Sequence, residues 1–290
     1  MNSSAQMLGE QSVADRSIGA IIAETRNLSA DQVERILNHQ RTQGIRFGEA
    51  AVALGFASAD DVMFALAQQF HYPYALEEHR KVNAELVALN QPFGVQAESF
   101  RAIRSQLMMR VFNDLQPRRA VAVISPDSGD GKTFFAANLA VALAQLGGRT
   151  LLVDADLRGP RVHEVFGIDN KVGLSGILSG RAEAQVIRQI QGVPSLFVLP
   201  VGATPPNPVE LVERPAFGLL IRELVAKFDH VIVDTPAASL GSDAAVIAAR
   251  CGAALLVSRR NTSRLQAVAA MLADVADSPA VVVGAVINDQ

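Results

Sequence analysis

The sequence contains very little cysteine, tyrosine or tryptophan: its 290 residues include one cysteine, two tyrosines and no tryptophan. The single cysteine, Cys251, excludes a disulfide framework within the chain and favours a reducing compartment. The first residues lack the basic and then apolar pattern of a signal peptide, and no apolar run reaches the roughly 18 residues that a membrane-spanning helix needs. We therefore expect a cytoplasmic protein.

Charge is also scarce and nearly balanced. Charged residues make up 19% of the chain, and the formal net charge is −3. A protein that binds nucleic acid needs a basic surface for the phosphate backbone, so the composition argues against nucleic acid as a partner. Hydrophobic residues make up 49%, which is enough for one large domain or two unequal ones.

Residues 16–70 contain an internal repeat. Residues 17–40 realign on residues 46–69, and in each unit a short apolar segment is followed by a second helical segment. Each second segment begins with a serine that has a side-chain acceptor three residues later, the pattern of a helix N-terminal cap: Ser29 with Gln32, and Ser58 with Asp61. The pattern predicts a small all-α tandem-repeat domain of four short helices in two related hairpins.

The segments before and after the repeat domain differ from it in composition. Residues 1–15 are expected to form a flexible tail. Residues 71–96 contain two prolines and mixed charge without a sustained period, which predicts a linker that docks in part. Residues 97–290 are expected to form the second and larger domain.

From residue 120 onward short β-branched runs alternate with helical stretches. Uniformly apolar strands separated by helices predict a mostly parallel sheet covered on both faces, hence an α/β fold with three layers. The helical stretches include Phe134–Leu146, Val209–Phe228 and Ser242–Arg250. The predicted strands lie at 120–125, 150–156, 195–200, 230–236, 253–258 and 280–287.

A glycine-rich loop follows the first predicted strand and leads into a long helix. The stretch from Ser125 to Thr133 reads SPDSGDGKT, in which the glycines let successive backbone N–H groups point at an anion and the helix N-terminus adds its dipole. Lys132 would contact the β- and γ-phosphates of a nucleotide, and the Thr133 hydroxyl would bind Mg²⁺. The loop departs from the usual pattern at Pro126, where a P-loop begins with glycine.

Acidic residues end two further strands. Asp154 and Asp156 lie two residues apart at the end of the second strand, and Asp234 closes the fourth. The carboxyl ends of parallel strands are where α/β sheets bind ligands, and acids there need a cation to neutralise them. Together with the P-loop, these acids predict a site for Mg²⁺ and ATP.

The combination of SGDGKT, VDADLR and IVDTP resembles the bacterial tyrosine kinases, whose fold belongs to the MinD-like P-loop group. Asp154, Asp156 and Arg158 match the family's element D-x-D-x-R. A second family motif, E-x2-R-x2-R, is present as Glu98, Arg101 and Arg104, and the resemblance implies a role for this motif in a homo-oligomeric ring. It also implies an ATP- and Mg²⁺-dependent protein-tyrosine kinase.

The stretch 198–217 and the ending GAVIND are similar to the EpsG-type subgroup, whose kinases act with a separate membrane chain-length determinant (a polysaccharide co-polymerase) in exopolysaccharide synthesis. The resemblance therefore implies recruitment to the inner face of the membrane by that partner. An alternative is a MinD-like, ATP-binding assembly switch without protein kinase activity. Relatives that position cellular cargo carry a second lysine in the P-loop where this chain has Asp127, and this difference disfavours that subclass.

The chemistry of phosphoryl transfer assigns roles to these residues. The predicted metal ligands are Thr133, Asp156 and Asp234. Of Asp154 and Asp156, one would accept the tyrosine proton and the other would support the metal, and Arg158 would orient these acids or the incoming phosphate. The predicted nucleotide-binding residues of the loop are Ser128, Gly129, Asp130, Gly131, Lys132, Thr133 and Phe134. The resemblance adds Asn288, which matches a position that often reads adenine in the wider group, and a turn-capping asparagine is the alternative.

The phosphate acceptor is not evident from the sequence. The only tyrosines are Tyr72 and Tyr74, although the family typically phosphorylates a C-terminal tyrosine cluster. The acceptor is therefore expected in a native continuation beyond Gln290, on another protein, or at these two tyrosines.

The N-terminal repeats resemble the MshEN domain, in which tandem motifs bind cyclic di-GMP. Arginine and a closely approaching glycine backbone suit the recognition of guanine and phosphate. The first repeat departs from the motif at Ser17 and Arg26, so a protein-docking helical module is the other interpretation. The second repeat keeps the motif residues Arg46, Gly48, Gly55 and Gln69.

Overall fold

A computed structural model describes residues 17–69, 83–113, 117–181 and 184–289. The chain divides into two compact units, Met1–Lys81 and Val82–Gln290. The predicted flexible tail, Tyr72 and Tyr74 lie outside the described residues.

The N-terminal unit contains the four predicted helices. They are α1 (Ile18–Thr25), α2 (Ala30–Gln43), α3 (Phe47–Ala53) and α4 (Ala59–Gln69). Both predicted caps form: Ser29 and Gln32 exchange hydrogen bonds between side chain and backbone in a capping box, and Ser58 and Asp61 make the equivalent pair. These reciprocal bonds satisfy backbone N–H groups that the first helical turn would otherwise leave unpaired.

The pairing of these helices differs from the prediction. Helix α1 packs mainly against α4, and α2 packs against α3, so the two repeats do not form separate hairpins. The reason is that the apolar face of each helix is completed by the other repeat. One cluster is built on Ile21, Ile22 and Ala65, and the other on Ile36, Ala50 and Ala51.

The first repeat also differs from the second at Arg26, where the second has Gly55. Arg26 Nε lies 2.8 Å from Asp61 Oδ2, and the Asp61 side chain is buried. Burial alone would raise the pKa of Asp61, but hydrogen bonds from Arg26 and Ser58 outweigh it and hold the pKa below its ordinary value. The arginine thereby joins the end of α1 to the start of α4.

Replacement of Gly48 by alanine is expected to lower the free energy of unfolding of the N-terminal unit by roughly 1–3 kcal/mol, because overpacking a tight contact forces the neighbours to shift. A Cβ at Gly48 would lie 2.9 Å from Val62 Cγ1. Hydrogen exchange of the α3 and α4 amides in the full chain measures the effect. Combining Gly48→Ala with Val62→Ala should restore part of the protection of these amides from exchange. Unchanged exchange rates in the Gly48→Ala variant would contradict the close packing.

The C-terminal unit is built around a seven-stranded sheet with the order β3-β4-β2-β5-β1-β6-β7. All pairs are parallel except β3–β4. The α/β prediction is confirmed, and every residue of β1, β2 and β5 is buried, as the uniformly apolar runs indicated. The strands are β1 (Ala120–Ile124), β2 (Thr150–Asp154), β3 (Arg188–Gln189), β4 (Leu196–Leu199), β5 (His230–Asp234), β6 (Gly252–Arg259) and β7 (Val281–Asn288).

Helices cover both faces of this sheet. The stretch Val209–Phe228, predicted as one helical segment, is divided at Arg214, because the residue before Pro215 is disfavoured in the helical conformation. The two-residue strand β3 was not predicted, since it is too short to show a period. The helices are α5 (Val87–Asn90), α6 (Val95–Arg110), α7 (Lys132–Ala144), α8 (Val162–Phe166), α9 (Leu174–Leu178), α10 (Pro208–Glu213), α11 (Pro215–Lys227), α12 (Asp243–Cys251) and α13 (Leu265–Ala276).

The second half of the predicted linker packs onto the C-terminal unit, which begins at Val82 and not at residue 97. Leu86 and Leu89 are buried in the core on the α7 side of the sheet. The buried Asn138 of α7 donates from Nδ2 to the Glu85 carbonyl (2.8 Å) and accepts at Oδ1 from the Ala88 N–H (2.9 Å). These contacts fix residues 85–88 beside the middle of α7.

Within the described ranges, no helix is both long enough and apolar enough to cross a membrane.

Candidate active site

The glycine-rich loop connects β1 to α7. Gly129 and Gly131 have φ values of +86° and +94°, which side chains with a Cβ rarely adopt. A Cβ at Gly131 would lie 2.3 Å from Asn288 Nδ2 at the end of β7, so this position also lacks space for a side chain. The loop therefore has the strand–loop–helix context in which a P-loop binds phosphate.

The Lys132 side chain is folded into this loop. Its Nζ donates to Ser125 Oγ (2.8 Å) and to the Asp127 carbonyl (3.3 Å). Burial lowers the pKa of Lys132, and the nearby carboxylates, Asp234 foremost, partly offset that effect. A buried cation with weak neutral partners is poised to exchange them for a phosphate anion.

Thr133 and Asp234 meet at the ends of neighbouring elements. Thr133 Oγ1 donates to Asp234 Oδ2 at 2.6 Å, while Asp234 Oδ1 is buried and has no hydrogen-bond partner in the described part of the chain. Burial raises the pKa of Asp234 to about 7, against the opposing effects of Thr133 and Lys132. A hydroxyl beside an unsatisfied buried carboxylate oxygen fits Mg²⁺, which binds few protein oxygens and completes its shell with phosphate and water. No group of three or more histidine, cysteine or acidic side chains suited to a metal occurs among the described residues.

The raised pKa of Asp234 predicts an unusual dependence of stability on pH. Because the carboxyl pKa rises on folding from 3.8 to about 7, the folded state holds the proton more tightly than the unfolded state. The free energy of unfolding of the metal-free, nucleotide-free protein should therefore fall as pH rises through this window, by about 1 kcal/mol per pH unit. Urea unfolding at pH values between about 4 and 7, the window between the unfolded and folded pKa values, measures the slope. Asp234→Asn should reduce it, and a stability that increases over this window would contradict the assignment.

The two acids of the D-x-D element have different surroundings. Asp154 is fully buried opposite Asp234 in the β2–β5 register. Its Oδ1 accepts from the Asp156 N–H (3.2 Å), and its Oδ2 accepts from the N–H groups of Arg161 (3.2 Å) and Val162 (3.1 Å). Burial, followed by the charge of Asp234, raises the pKa of Asp154 well above its ordinary value. Asp154 thus orders the loop after β2.

Asp156, by contrast, is half-buried and lines the cavity above the P-loop. Its Oδ1 accepts from the N–H groups of Arg158 (3.1 Å) and Gly159 (2.9 Å). Oδ2 makes no hydrogen bond to the described residues, so this oxygen is free to accept a proton or bind a cation. The geometry favours Asp156 as the acid that reaches a bound substrate.

This cavity has a volume of about 580 Å³. It brings together eight of the predicted site residues, and Gly159, Arg161, Ala237 and Leu240 complete its wall. The predicted residues among its lining are Ser128, Gly129, Gly131, Lys132, Thr133, Phe134, Asp156 and Arg158.

Two predicted nucleotide-binding residues lie outside this cavity. The Asp130 carboxylate is buried and accepts from the Asp127 N–H (2.9 Å) and from Ser263 Oγ (2.8 Å). Asn288 Nδ2 donates to the Asp130 carbonyl (3.1 Å), and Asn288 lines an adjacent cavity of about 410 Å³ with Arg259. Arg259, the last residue of β6, and Ser263, in the loop that follows, were not predicted from the sequence, because no motif marks them.

The Arg158 guanidinium contacts neither acid of the D-x-D element. It forms an ion pair with Asp243 at the start of α12, and orients Asp156 only through its backbone N–H. Asp243 was also missed, since one acid at the start of a helix is an ordinary cap in sequence.

The E-x2-R-x2-R residues lie on α6 and make contacts within the unit. Arg101 pairs with Glu98 (2.6 Å) and donates to the Pro92 carbonyl. Arg104 Nη1 donates to the Ala142 carbonyl of α7 at 2.8 Å. Their role in oligomerisation stays a prediction.

The predicted cyclic dinucleotide residues also have structural surroundings. Gly48 is buried where α3 meets Val62, and Gly55 follows α3 with a φ of +72°. Arg46 is exposed at the start of α3, and Gln69 is half-buried at the end of α4. The two glycines thus have a packing role and a turn role, and nucleotide binding by this unit stays a prediction.

The parallel sheet, the P-loop and the Thr133–Asp234 pair define a P-loop nucleotide-binding domain. Residues 121–289 match the CobQ/CobB/MinD/ParA nucleotide binding domain family. The chain is 34% identical over 217 residues to the tyrosine-protein kinase YwqD of Bacillus subtilis, a match that covers 74% of this chain and 90% of YwqD. It is 32% identical over 212 residues to the tyrosine-protein kinase wzc of Salmonella typhi, covering 72% of this chain but only 29% of that protein.

Solved structures agree with these matches. The kinase domain of the Escherichia coli tyrosine kinase ETK superposes with a TM-score of 0.66 at 31% identity, covering 74% of this chain and 83% of that one. The septum site-determining protein MinD of Pyrococcus horikoshii, complexed with Mg-ADP, superposes with a TM-score of 0.50 at 29% identity, covering 59% and 70%. The chain belongs to the bacterial tyrosine-protein kinase family.

Proposed function

We propose that this chain is an ATP-dependent protein-tyrosine kinase that regulates exopolysaccharide chain length or export. One observation carries the proposal: a single cavity is lined both by the phosphate-binding loop with Lys132 and by Asp156. Family membership supports the reaction, since the relatives named above are tyrosine-protein kinases.

The residues of the cavity have different roles in phosphoryl transfer. The N–H groups of residues 129–133 and the Lys132 ammonium bind the phosphates of ATP. Thr133 and Asp234 would hold the Mg²⁺ ion, which would neutralise phosphate charge. Asp156 Oδ2 accepts the proton of the tyrosine hydroxyl as its oxygen bonds to the γ-phosphorus, and the bond from that phosphorus to the β-phosphate oxygen breaks, leaving ADP. Asp156 lines the same cavity as Thr133 and would help to support the metal.

The partner and location follow from the same proposal. A membrane chain-length determinant protein would recruit the chain to the inner face of the membrane, and Glu98, Arg101 and Arg104 would help to form a homo-oligomer. The acceptor tyrosine would be supplied by another protein, by a continuation of this chain, or by Tyr72 or Tyr74.

A second candidate is an ATP-dependent assembly switch without protein kinase activity. It is favoured by the shortage of acceptors, since no tyrosine lies within the described residues and the whole chain has two. In this case the γ-phosphate would pass to water, and the nucleotide state would control association.

Labelled ATP separates the two candidates. The full chain is incubated with Mg²⁺ and γ-labelled ATP, alone and with a glutamate–tyrosine copolymer as a probe acceptor, and phosphotyrosine and free phosphate are measured together. Phosphotyrosine on the chain or on the copolymer supports the kinase, and Tyr72→Phe with Tyr74→Phe locates any label on the chain. Free phosphate without phosphotyrosine would overturn the kinase in favour of the switch.

A further inference from the structure

The arginine of the D-x-D-x-R element is held by an acid from a different part of the chain. Arg158 Nε lies 3.2 Å and 3.1 Å from the two carboxylate oxygens of Asp243, and Arg158 Nη2 lies 3.0 Å from Asp243 Oδ2. The Asp243 side chain is only 3% exposed, whereas Arg158 is 31% exposed and lines the cavity. A two-point contact with a buried carboxylate fixes the plane of a guanidinium as well as its position.

Gly241 leaves space for this ion pair beside the backbone. Gly241 has a φ of +154°, and a Cβ there would lie 2.8 Å from Asp243 Oδ2 and 3.0 Å from Arg158 Nη2. Only glycine therefore leaves room for the arginine to reach the acid across this turn.

The same turn is bound to the P-loop. The N–H groups of Ala238 and Ser239 donate to the carbonyls of Ser125 (3.0 Å) and Pro126 (2.9 Å). Ala237 and Leu240 line the cavity, so the segment from β5 to α12 forms one of its walls. Asp243 is thus fixed relative to the loop that binds the phosphates.

The position of the guanidinium has two chemical consequences. Nη1, the nitrogen that Asp243 does not occupy, makes no hydrogen bond to the described residues and remains available to an anion in the cavity. In addition, an arginine paired with Asp243 is kept from Asp156, which lies two residues earlier and whose Oδ2 is unoccupied. Pairing between Arg158 and Asp156 would neutralise the carboxylate that the reaction needs as a base.

We propose that Asp243 is a positioning residue for phosphoryl transfer: it holds the Arg158 guanidinium so that Nη1 contacts the γ-phosphoryl group and Asp156 stays unpaired. This inference rests on the proposed function in naming the transferred group. Arg158 touches the substrate, and Asp243 acts only through Arg158.

The test measures consumption of the γ-phosphate of ATP by the full chain, counting free phosphate and phosphotyrosine on the copolymer separately. Arg158→Ala and Asp243→Asn are each expected to lower kcat by roughly 10- to 100-fold, because the first removes an oriented charge from the transition state and the second releases that charge from its position. The Kd for Mg-ADP should change less than about threefold, since ADP lacks the group that Arg158 contacts. Glu223→Gln, which breaks the exposed Glu223–Lys227 pair of α11, serves as the matched control and should not change the rate.

Whether the effects of the two substitutions on kcat are additive distinguishes a positioning role of Asp243 from a structural one. If Asp243 acts through Arg158, the double variant should be no slower than Arg158→Ala alone, within about threefold. Added guanidinium ion at non-denaturing concentration should accelerate Arg158→Ala, and it should fail to accelerate the double variant, which lacks the carboxylate that binds it.

Three results would overturn the proposal: an unchanged rate in Asp243→Asn, multiplicative effects in the double variant, or equal rescue with and without Asp243. These results are distinct from failure of the proposed function. If the γ-phosphate goes only to water, the kinase assignment fails, while the same rate comparison on phosphate release still decides whether Asp243 positions Arg158.

Discussion

Replacement of Lys132 by methionine is expected to lower phosphoryl transfer by at least roughly 10³-fold, because a cation that contacts the transferring phosphate in a desolvated site stabilises the charge of the transition state. Lys132 is only 7% exposed, and burial lowers its pKa, so its charge is already partly stripped of water. Methionine has a similar length and is apolar, so it fits the buried space and removes only the charge and the hydrogen bonds to Ser125 and Asp127.

The measurement is incorporation of labelled phosphate into the copolymer under saturating Mg-ATP. Lys171→Met is a matched control, because Lys171 pairs with Asp169 on the surface and its side chain is 85% exposed. Thermal unfolding of both variants verifies that the fold is retained. Residual activity above a tenth of the wild-type value in Lys132→Met would contradict the assignment of the phosphate site.

Asp156→Asn and Asp154→Asn are expected to have opposite effects on catalysis and stability. In Asp156→Asn the transfer rate should fall by about 10²- to 10⁴-fold, the usual range for loss of a general base. Its stability should be retained, because both backbone hydrogen bonds to Asp156 use Oδ1, and an asparagine keeps that oxygen.

Asp154→Asn should instead destabilise the unit by about 1–3 kcal/mol. Asparagine has one acceptor oxygen, so either the Asp156 N–H or the pair from Arg161 and Val162 loses its acceptor. Urea unfolding and single-turnover transfer, measured on both variants, distinguish the two acids. A stable, inactive Asp154→Asn beside an active Asp156→Asn would exchange the roles assigned to them.

Much of the site could be predicted because phosphate chemistry leaves a local signature. The P-loop lies within nine consecutive residues, and Asp154 and Asp234 end uniformly apolar strands, so their meeting at one sheet edge follows from parallel topology. The capping pairs of the repeats were predicted for the same reason, since the two residues of each pair lie only three positions apart.

The parts that could not be predicted depend on contacts between distant segments. The exchange of helix partners in the N-terminal unit, the Arg26–Asp61 ion pair and the docking of residues 85–88 on Asn138 all join residues that no periodic pattern connects. Each becomes visible only when packing brings their elements together, because a buried polar group accepts whichever partner the neighbouring backbone presents.

The sequence by itself determined that this chain, poor in cysteine, tyrosine and charge, has an all-α repeat followed by an α/β nucleotide-binding domain. The apolar runs of buried strands, the glycines of turns and the capping side chains of helices each act over only a few residues. Their patterns can therefore be recognised in the sequence alone. Only the tertiary structure decided that Asp156, and not Asp154, faces the cavity, and that Asp243 holds Arg158. Two carboxylates at positions i and i+2 are equivalent in sequence. They become different when the fold buries one against backbone N–H groups and leaves the other open to the cavity.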